Sequence, residues 1–230
     1  MIWERDGLAV RWAGGALVVR YGDDVTVVDA PPGVASVLGD DAARVRAIVL
    51  SSGRVRSVGG LLELLCALER ERGASAAVSL IVPSGDERAG AIAEAWVRGW
   101  PDRYPLRVDV PAPGGTSEVG ELRVQAWPVD AGEPVWSTGE IVARPAVALR
   151  LEGPATIAYL AGAAACPGAV RACRRADLAV VEVGVTPWPR DAGRSAPWRM
   201  TVEVAVRVAA NAGTTWLIAD DGRPMPSGEA

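Results

Sequence analysis

Apolar positions alternate with polar ones in short stretches through the first fifty residues. Residues 8–12 and 16–21 read as two strands about a turn at Gly14 and Gly15, and Gly22, Asp23 and Asp24 mark a second turn. Residues 25–29 form a β-branched strand stopped by Pro31, Pro32 and Gly33, and residues 34–38 a short helix. A buried strand at 47–50 ends in a polar loop at 51–57, after which Gly59 and Gly60 open a helix. Leu61, Leu62, Leu64, Leu65 and Leu68 give that helix its apolar face, and the charged run from Glu69 to Arg72 its polar end. A strand at 78–82 and an amphipathic helix at 87–100 follow, then strands at 106–110, 121–128, 146–152 and 155–160. The last third predicts a helix at 168–175, a strand at 178–183, a loop rich in Pro, Gly and Arg at 187–197, a helix at 201–212 ended by Gly213, and a strand at 216–219.

The second half repeats the order of the first, strands and then helices, with no linker between them. This predicts an α/β protein forming one domain over residues 1–230, two sheets with helices outside and a flexible polar tail at 222–230.

Composition narrows the chemistry. Half of the 230 residues are hydrophobic and 23% charged, the balance of a folded chain. A net charge of −4 argues against broad nonspecific nucleic-acid binding and leaves a local basic patch open. No apolar run reaches the roughly 18 residues of a membrane span, and no secretory h-region follows Met1, so a cytoplasmic location is expected. Cys66, Cys166 and Cys173 are odd in number and lack CxxC spacing, against a disulfide framework or a Cys-rich zinc site. Every basic residue is Arg, and there is no Lys and no Phe, a bias that reads as codon pressure. The absence of His is less easily explained that way, and it removes the commonest metal ligand and the commonest general base near neutral pH.

Five segments, residues 15–33, 47–62, 122–130, 157–182 and 201–221, carry a resemblance to a known family. Residues 25–33 are similar to a strand and turn ending in "D-x-G-x-G", with Asp29 and Gly33 kept. Residues 48–60 fall where a strand precedes "T-H-x-H-x-D-H-x-x-G"; Gly59 and Gly60 keep the frame, while Ser52, Arg54, Arg56 and Ser57 stand at the His, His, Asp and His positions. Residues 127–130 resemble the lead-in to a further His, but Ala131 follows. Residues 157–163 resemble "A-Y-S-G-D-T", keeping Tyr159 and placing Gly162 at the Asp; residues 174–182 are close to "A-R-G-A-D-L-L-I-H-E", keeping Asp177 and Glu182. Residues 201–213 fit the family's last helix, with Arg199 where a substrate-facing His would stand and Asp221 at the final His position. Together these resemble the metallo-β-lactamase superfamily, in its ribonuclease Z-like branch. The resemblance implies a four-layered αββα sandwich of two mixed β-sheets flanked by helices, here in a degenerate member.

The family's reaction requires two metal ions held by His and carboxylate ligands, which acidify a water and clamp the scissile phosphate. Serine hydroxyls bind zinc weakly, Gly and Ala offer no donor, and a guanidinium repels a cation. Of the seven mapped ligand positions only Asp221 could ligate. The expectation is a metal-free pseudoenzyme with no catalytic residue and no cofactor, acting as a binding, structural or regulatory subunit through a protein partner or a homo-oligomer.

Arg54, Arg56 and Arg199 leave two readings open: an anion site for a phosphate-bearing molecule or nucleic-acid end, or ion-paired arginines filling an abandoned pocket. Ser52 and Ser57 could act as nucleophiles only with a base, and neither His nor Lys is present, so a metal-free hydrolase ranks last. Cys166, before Pro167 at a helix start, reads either as a thiol of lowered pKa or as a buried structural one. Trp96 and Trp100 could form an exposed contact face, and Trp127, Trp136, Trp188 and Trp198 could line a pocket or interface; core packing in a Phe-free chain is the alternative.

Overall fold

The computed structural model of the chain describes residues 2–72, 77–99, 106–134, 137, 141–183, 200–219 and 223–226. The strands are β1 (Ile2–Arg5), β2 (Leu8–Ala13), β3 (Ala16–Tyr21), β4 (Asp24–Val28), β5 (Val45–Val49), β6 (Val78–Ile81), β7 (Leu106–Asp109), β8 (Thr116–Val119), β9 (Leu122–Pro128), β10 (Ala131–Pro134), β11 (Ile141–Arg144), β12 (Val147–Glu152), β13 (Thr156–Leu160), β14 (Leu178–Val181), β15 (Trp216–Ala219) and β16 (Arg223–Pro226). The helices are α1 (Val34–Leu38), α2 (Val55–Val58), α3 (Leu61–Arg72), α4 (Glu87–Gly99), α5 (Pro167–Cys173) and α6 (Val202–Asn211), with a 3₁₀ turn at Gly39–Arg44.

One seven-stranded sheet runs β1-β2-β3-β4-β5-β6-β7 and the other β16-β15-β14-β13-β12-β9-β8, while β10 and β11 form a separate ribbon. Each sheet is mixed. Antiparallel hairpins lead into a parallel block, β4-β5-β6-β7 in the first and β13-β14-β15 in the second.

Strand periodicity assigns the faces. In β5, Ala47 and Val49 face the opposite sheet, while Ile48 and the following Leu50 face the helices. Three apolar layers result. The inner one joins Leu8, Val10, Leu17 and Val49 to Leu149, Leu151, Ile157 and Val180. One outer layer packs the first sheet on α1, α3 and α4, the other packs the second sheet on α5 and α6. This is the αββα sandwich expected from the sequence.

Helix α3 buries Leu61, Leu64, Leu65 and Leu68, the i, i+3, i+4, i+7 stripe, and leaves Leu62 52% exposed. Thr201 caps α6 by accepting from the Val204 N–H at 3.4 Å. Among the described residues no helix is long and apolar enough to cross a membrane.

Several local readings are corrected. Trp96 is buried at 5% in the layer between α4 and the first sheet, not on an exposed face, because it shares the buried side of α4 with Ala89 and Ala93. Trp127 is partly buried against the α5–α6 layer. Trp100, Trp136, Trp188 and Trp198 lie outside the described residues. Within the segment read as a tail, Arg223–Pro226 forms β16, paired antiparallel with β15. Two prolines in four residues had masked a strand, and an edge position tolerates them.

Candidate functional site

The turns at the carboxyl ends of the parallel strands bring the mapped positions together. Asp29, just past β4, takes a left-handed backbone (φ 61°) and is 2% exposed. Asp tolerates that conformation better than most side chains, and it aims the carboxylate between the sheets. The carboxylate accepts from the Ser51 N–H at 2.8 Å, the Ser51 hydroxyl at 2.7 Å and the Tyr159 hydroxyl at 2.9 Å. Burial pushes the Asp29 pKa up; the Ser51 and Tyr159 hydrogen bonds and the Arg54 charge oppose that shift without cancelling it. Burial, and then the Asp29 carboxylate, hold the Tyr159 phenol well above its usual range.

From Asp29 a chain of hydroxyls leads to Arg54. Ser51 Oγ lies 3.4 Å from Ser57 Oγ, Ser57 Oγ lies 3.0 Å from Ser52 Oγ, and Arg54 Nε donates to Ser52 Oγ at 2.9 Å. All three serines are fully buried. Arg54 can only donate and the Asp29 carboxylate only accept, and each hydroxyl has one proton. With Asp29 ionised, one direction satisfies every link, including the long one between Ser57 and Ser51: Arg54 donates to Ser52, Ser52 to Ser57, Ser57 to Ser51 and Ser51 to Asp29. A cation and a carboxylate thus terminate one polarised relay.

Arg54 also crosses to the other sheet. Its other guanidinium arm donates to the Ala161 carbonyl at 2.5 Å, immediately before Gly162, and the residue is only 4% exposed. Ala131 is bridged to Ala163 one residue beyond. Ser52, Arg54 and Ser57 therefore form a connected cluster, and the arm of Arg54 reaches the backbone beside Gly162 and Ala131. Arg56 points elsewhere and forms an ion pair with Glu182 at the end of β14. Arg199 and Asp221 lie outside the described residues.

The kept frame residues hold the turns. Gly60 donates its N–H to Ala30 at 2.7 Å, and a Cβ there would sit 2.1 Å from the Pro31 carbonyl oxygen. A Cβ on Gly59 would sit 2.5 Å from the Val55 carbonyl oxygen. Gly33 starts α1 with φ 83°. Asp177 accepts from the Thr156 N–H at 2.8 Å and pairs with Arg5 at 2.5 Å, tying β1 to the start of β14.

Residues the sequence reading missed complete the site. Asp86 receives the Gly53 N–H at 2.5 Å and, through its other oxygen, the N–H groups of Arg88 and Ala89 at 3.1 Å. It caps α4 and anchors the loop before Arg54 at once; Asp immediately ahead of the helix at 87–100 was the available signal. Ser51 and the Ala161 carbonyl carried no such signal.

A cleft of about 310 Å³ lies beside this cluster, lined by Trp12, Gly14 and Gly15, by the Arg56–Glu182 pair, and by Val180, Val181 and Ile218. The Trp12 ring meets that of Tyr159 at 5.8 Å between centroids. Cys166 is buried at 9% at the start of α5, and Cys173 is fully buried, with its thiol pushed up to about 12 by desolvation.

The donor set does not fit two zinc ions. Zinc calls for imidazole, thiolate or carboxylate lone pairs; at the described ligand positions stand two hydroxyls already bonded to each other, two guanidiniums, a methyl group and a glycine. Among the described residues no group of three or more His, Cys, Asp or Glu side chains could hold a metal ion.

Neither a family model nor a curated protein sequence matches the chain. Solved structures do. The metallo-β-lactamase fold protein YhfI from Bacillus subtilis superposes with a TM-score of 0.69 at 17% identity, over 90% of this chain and 77% of that one. The short form of human tRNase Z gives 0.67 at 16% identity, over 89% of this chain and 84% of that one. A diphosphatase of the PhnP family gives 0.64 at 15% identity, over 89% and 71%. With two mixed seven-stranded sheets face to face and helices outside both, the chain has the metallo-β-lactamase fold.

Proposed function

We propose that this chain is a non-catalytic member of its fold class, a pseudoenzyme that serves as a binding, structural or regulatory subunit through protein contacts. The observation that carries the reading is the buried Arg54 guanidinium, hydrogen-bonded to Ser52 on one side and to Ala161 on the other, between positions that the family gives to metal ligands. A fixed cation in that place opposes a second one, and the serines around it are closed to solvent. Histidine and lysine, the usual bases for a hydroxyl, are absent from the sequence, and the Asp29 carboxylate that takes the Ser51 proton is itself buried away from solvent.

Metal analysis of the purified protein tests this, together with its melting temperature before and after EDTA. The expectation is no stoichiometric zinc, manganese or iron, no shift with EDTA, and no hydrolysis of phosphodiesters. Stoichiometric metal with EDTA-sensitive phosphodiester cleavage would overturn it.

A second reading has its own support. The cleft lined by the Arg56–Glu182 pair offers an indole face, an apolar floor and a guanidinium that a phosphate-bearing molecule or a nucleic-acid end would have to draw away from Glu182. Two of the matched structures are named as a tRNase Z and a diphosphatase. A thermal-shift screen with inorganic phosphate, nucleotides and short RNA decides it: a saturable rise that Arg56→Ala abolishes supports the reading, and flat curves end it.

A further inference from the structure

Among the described residues strand β7 is an outer edge of the first sheet, paired on one side with β6. The Val82 N–H donates to the Asp109 carbonyl at 2.9 Å, so the peptide groups of Asp109 face β6. By the two-residue period those of Val108 and Val110 face away, toward the open edge. Val108 is 37% exposed and Val110 54%. The run Leu106, Arg107, Val108, Asp109, Val110 contains no proline and no bulge, two devices that blunt an edge; Pro111 only bounds it, and the two charges it carries, Arg107 and Asp109, are of opposite sign.

The run is also complementary to itself. Laid antiparallel on a second copy about a twofold axis through Val108, it sets Arg107 opposite Asp109, Asp109 opposite Arg107, and Leu106 opposite Val110. Val108 would face its own counterpart as a hydrogen-bonded pair, because its peptide groups point outward. Arg107 and Asp109 then fall at the non-hydrogen-bonded positions, where cross-strand side chains approach most closely. Leu106, Val108 and Val110 lie on the α4 side, since Val108 pairs with Leu80 of the layer that Leu106 also joins. Asp109 already accepts from the Ser117 hydroxyl, which orients its carboxylate at the edge and leaves lone pairs for a guanidinium.

The other edges lack this pattern. Paired in the same way, five residues about a central one, residues 2–6 set Glu4 against its own copy and residues 116–120 set Glu118 against its own copy, like charges face to face, and β16 carries two prolines without N–H donors.

We infer that β7 is a self-association edge, on which a second copy of this chain pairs antiparallel so that the two first sheets become one continuous sheet. The inference stands apart from the loss of metal chemistry, and either can fail alone. The patch is short, so the dimer is a weak one.

Sedimentation velocity from about 1 μM to about 1 mM tests it. The wild type passes from monomer to dimer within that range. Arg107→Asp leaves two carboxylates on the strand and Asp109→Arg two guanidiniums. Each weakens self-association by about 10- to 30-fold, while an equimolar mixture of the two forms a heterodimer and the double exchange restores the homodimer. Circular dichroism and melting curves of each variant confirm that these exposed changes leave the fold intact. A wild type that stays monomeric throughout the range overturns the inference, as does a dimer indifferent to both exchanges.

Discussion

Replacing Arg54 by Met keeps most of the side chain's volume and removes its charge and donors. The structure sets the magnitude. Two charge-assisted hydrogen bonds are lost, to Ser52 at 2.9 Å and to Ala161 at 2.5 Å, each worth about 1.5–3 kcal/mol. Together that is about 3–6 kcal/mol, to which the lost Arg54 charge, a minor influence on the buried Asp29 carboxylate, adds in the same direction. For a chain of this length that is a fall of about 6–24 °C in melting temperature. The assay is urea unfolding followed by circular dichroism, with Arg70→Ala as control: Arg70 is exposed and pairs with Glu71 at 3.4 Å, so a change within about 0.5 kcal/mol is expected. A double-mutant cycle with Asp29→Asn should show coupling of at least about 1 kcal/mol, since Asn removes the charge that Arg54 offsets. A loss below about 1 kcal/mol for Arg54→Met, or strict additivity with Asp29→Asn, would refute the idea that the guanidinium joins the two sheets.

Three further outcomes follow from the same geometry. Because burial raises the Asp29 pKa in the folded chain, the folded state holds that proton more tightly than the unfolded one; the associated stability is present below the unfolded value near 3.8 and is lost as pH rises through the folded value. Denaturation across that window should show wild type losing stability relative to Asp29→Asn as pH rises, and parallel curves would contradict it. With Cys173 pushed up to about 12 and Cys66 exposed, a thiol reagent at pH about 8 should label Cys66 in the native protein and reach Cys173 only on unfolding, as mass spectrometry of the digested peptides would show. Gly60→Ala should cost about 1–3 kcal/mol by forcing a methyl group against the Pro31 carbonyl; a neutral effect on thermal melting would mean that the turn can move aside.

Much of the layer order was legible because the fold writes itself in periodicity. The leucine stripe of α3 and the β-branched strands β4 and β5 bury the positions that their spacing implied. Strands β1, β8, β10 and β11 escaped notice because four residues of mixed polarity at a sheet edge or in a two-stranded ribbon have no period to read. At the site, the resemblance located Ser52, Arg54 and Ser57, which do lie together. It could not show that Arg54 turns inward while Arg56 turns to Glu182, because two arginines one residue apart look alike until burial separates them. The relay through Ser51 was equally hidden, because its acceptor end, Asp29 with Tyr159, comes from strands distant in the chain.

The direction of the hydroxyl relay limits which single substitutions the site accepts. Every proton in it is oriented by the guanidinium at one end and the carboxylate at the other, so each serine is now fitted to its neighbours. Placing a single imidazole at position 54 would meet a hydroxyl and a carbonyl already turned to receive a donor. One exchange alone therefore leaves unmatched hydrogen-bonding groups in a buried place, and a metal-binding centre here would need several exchanges made together.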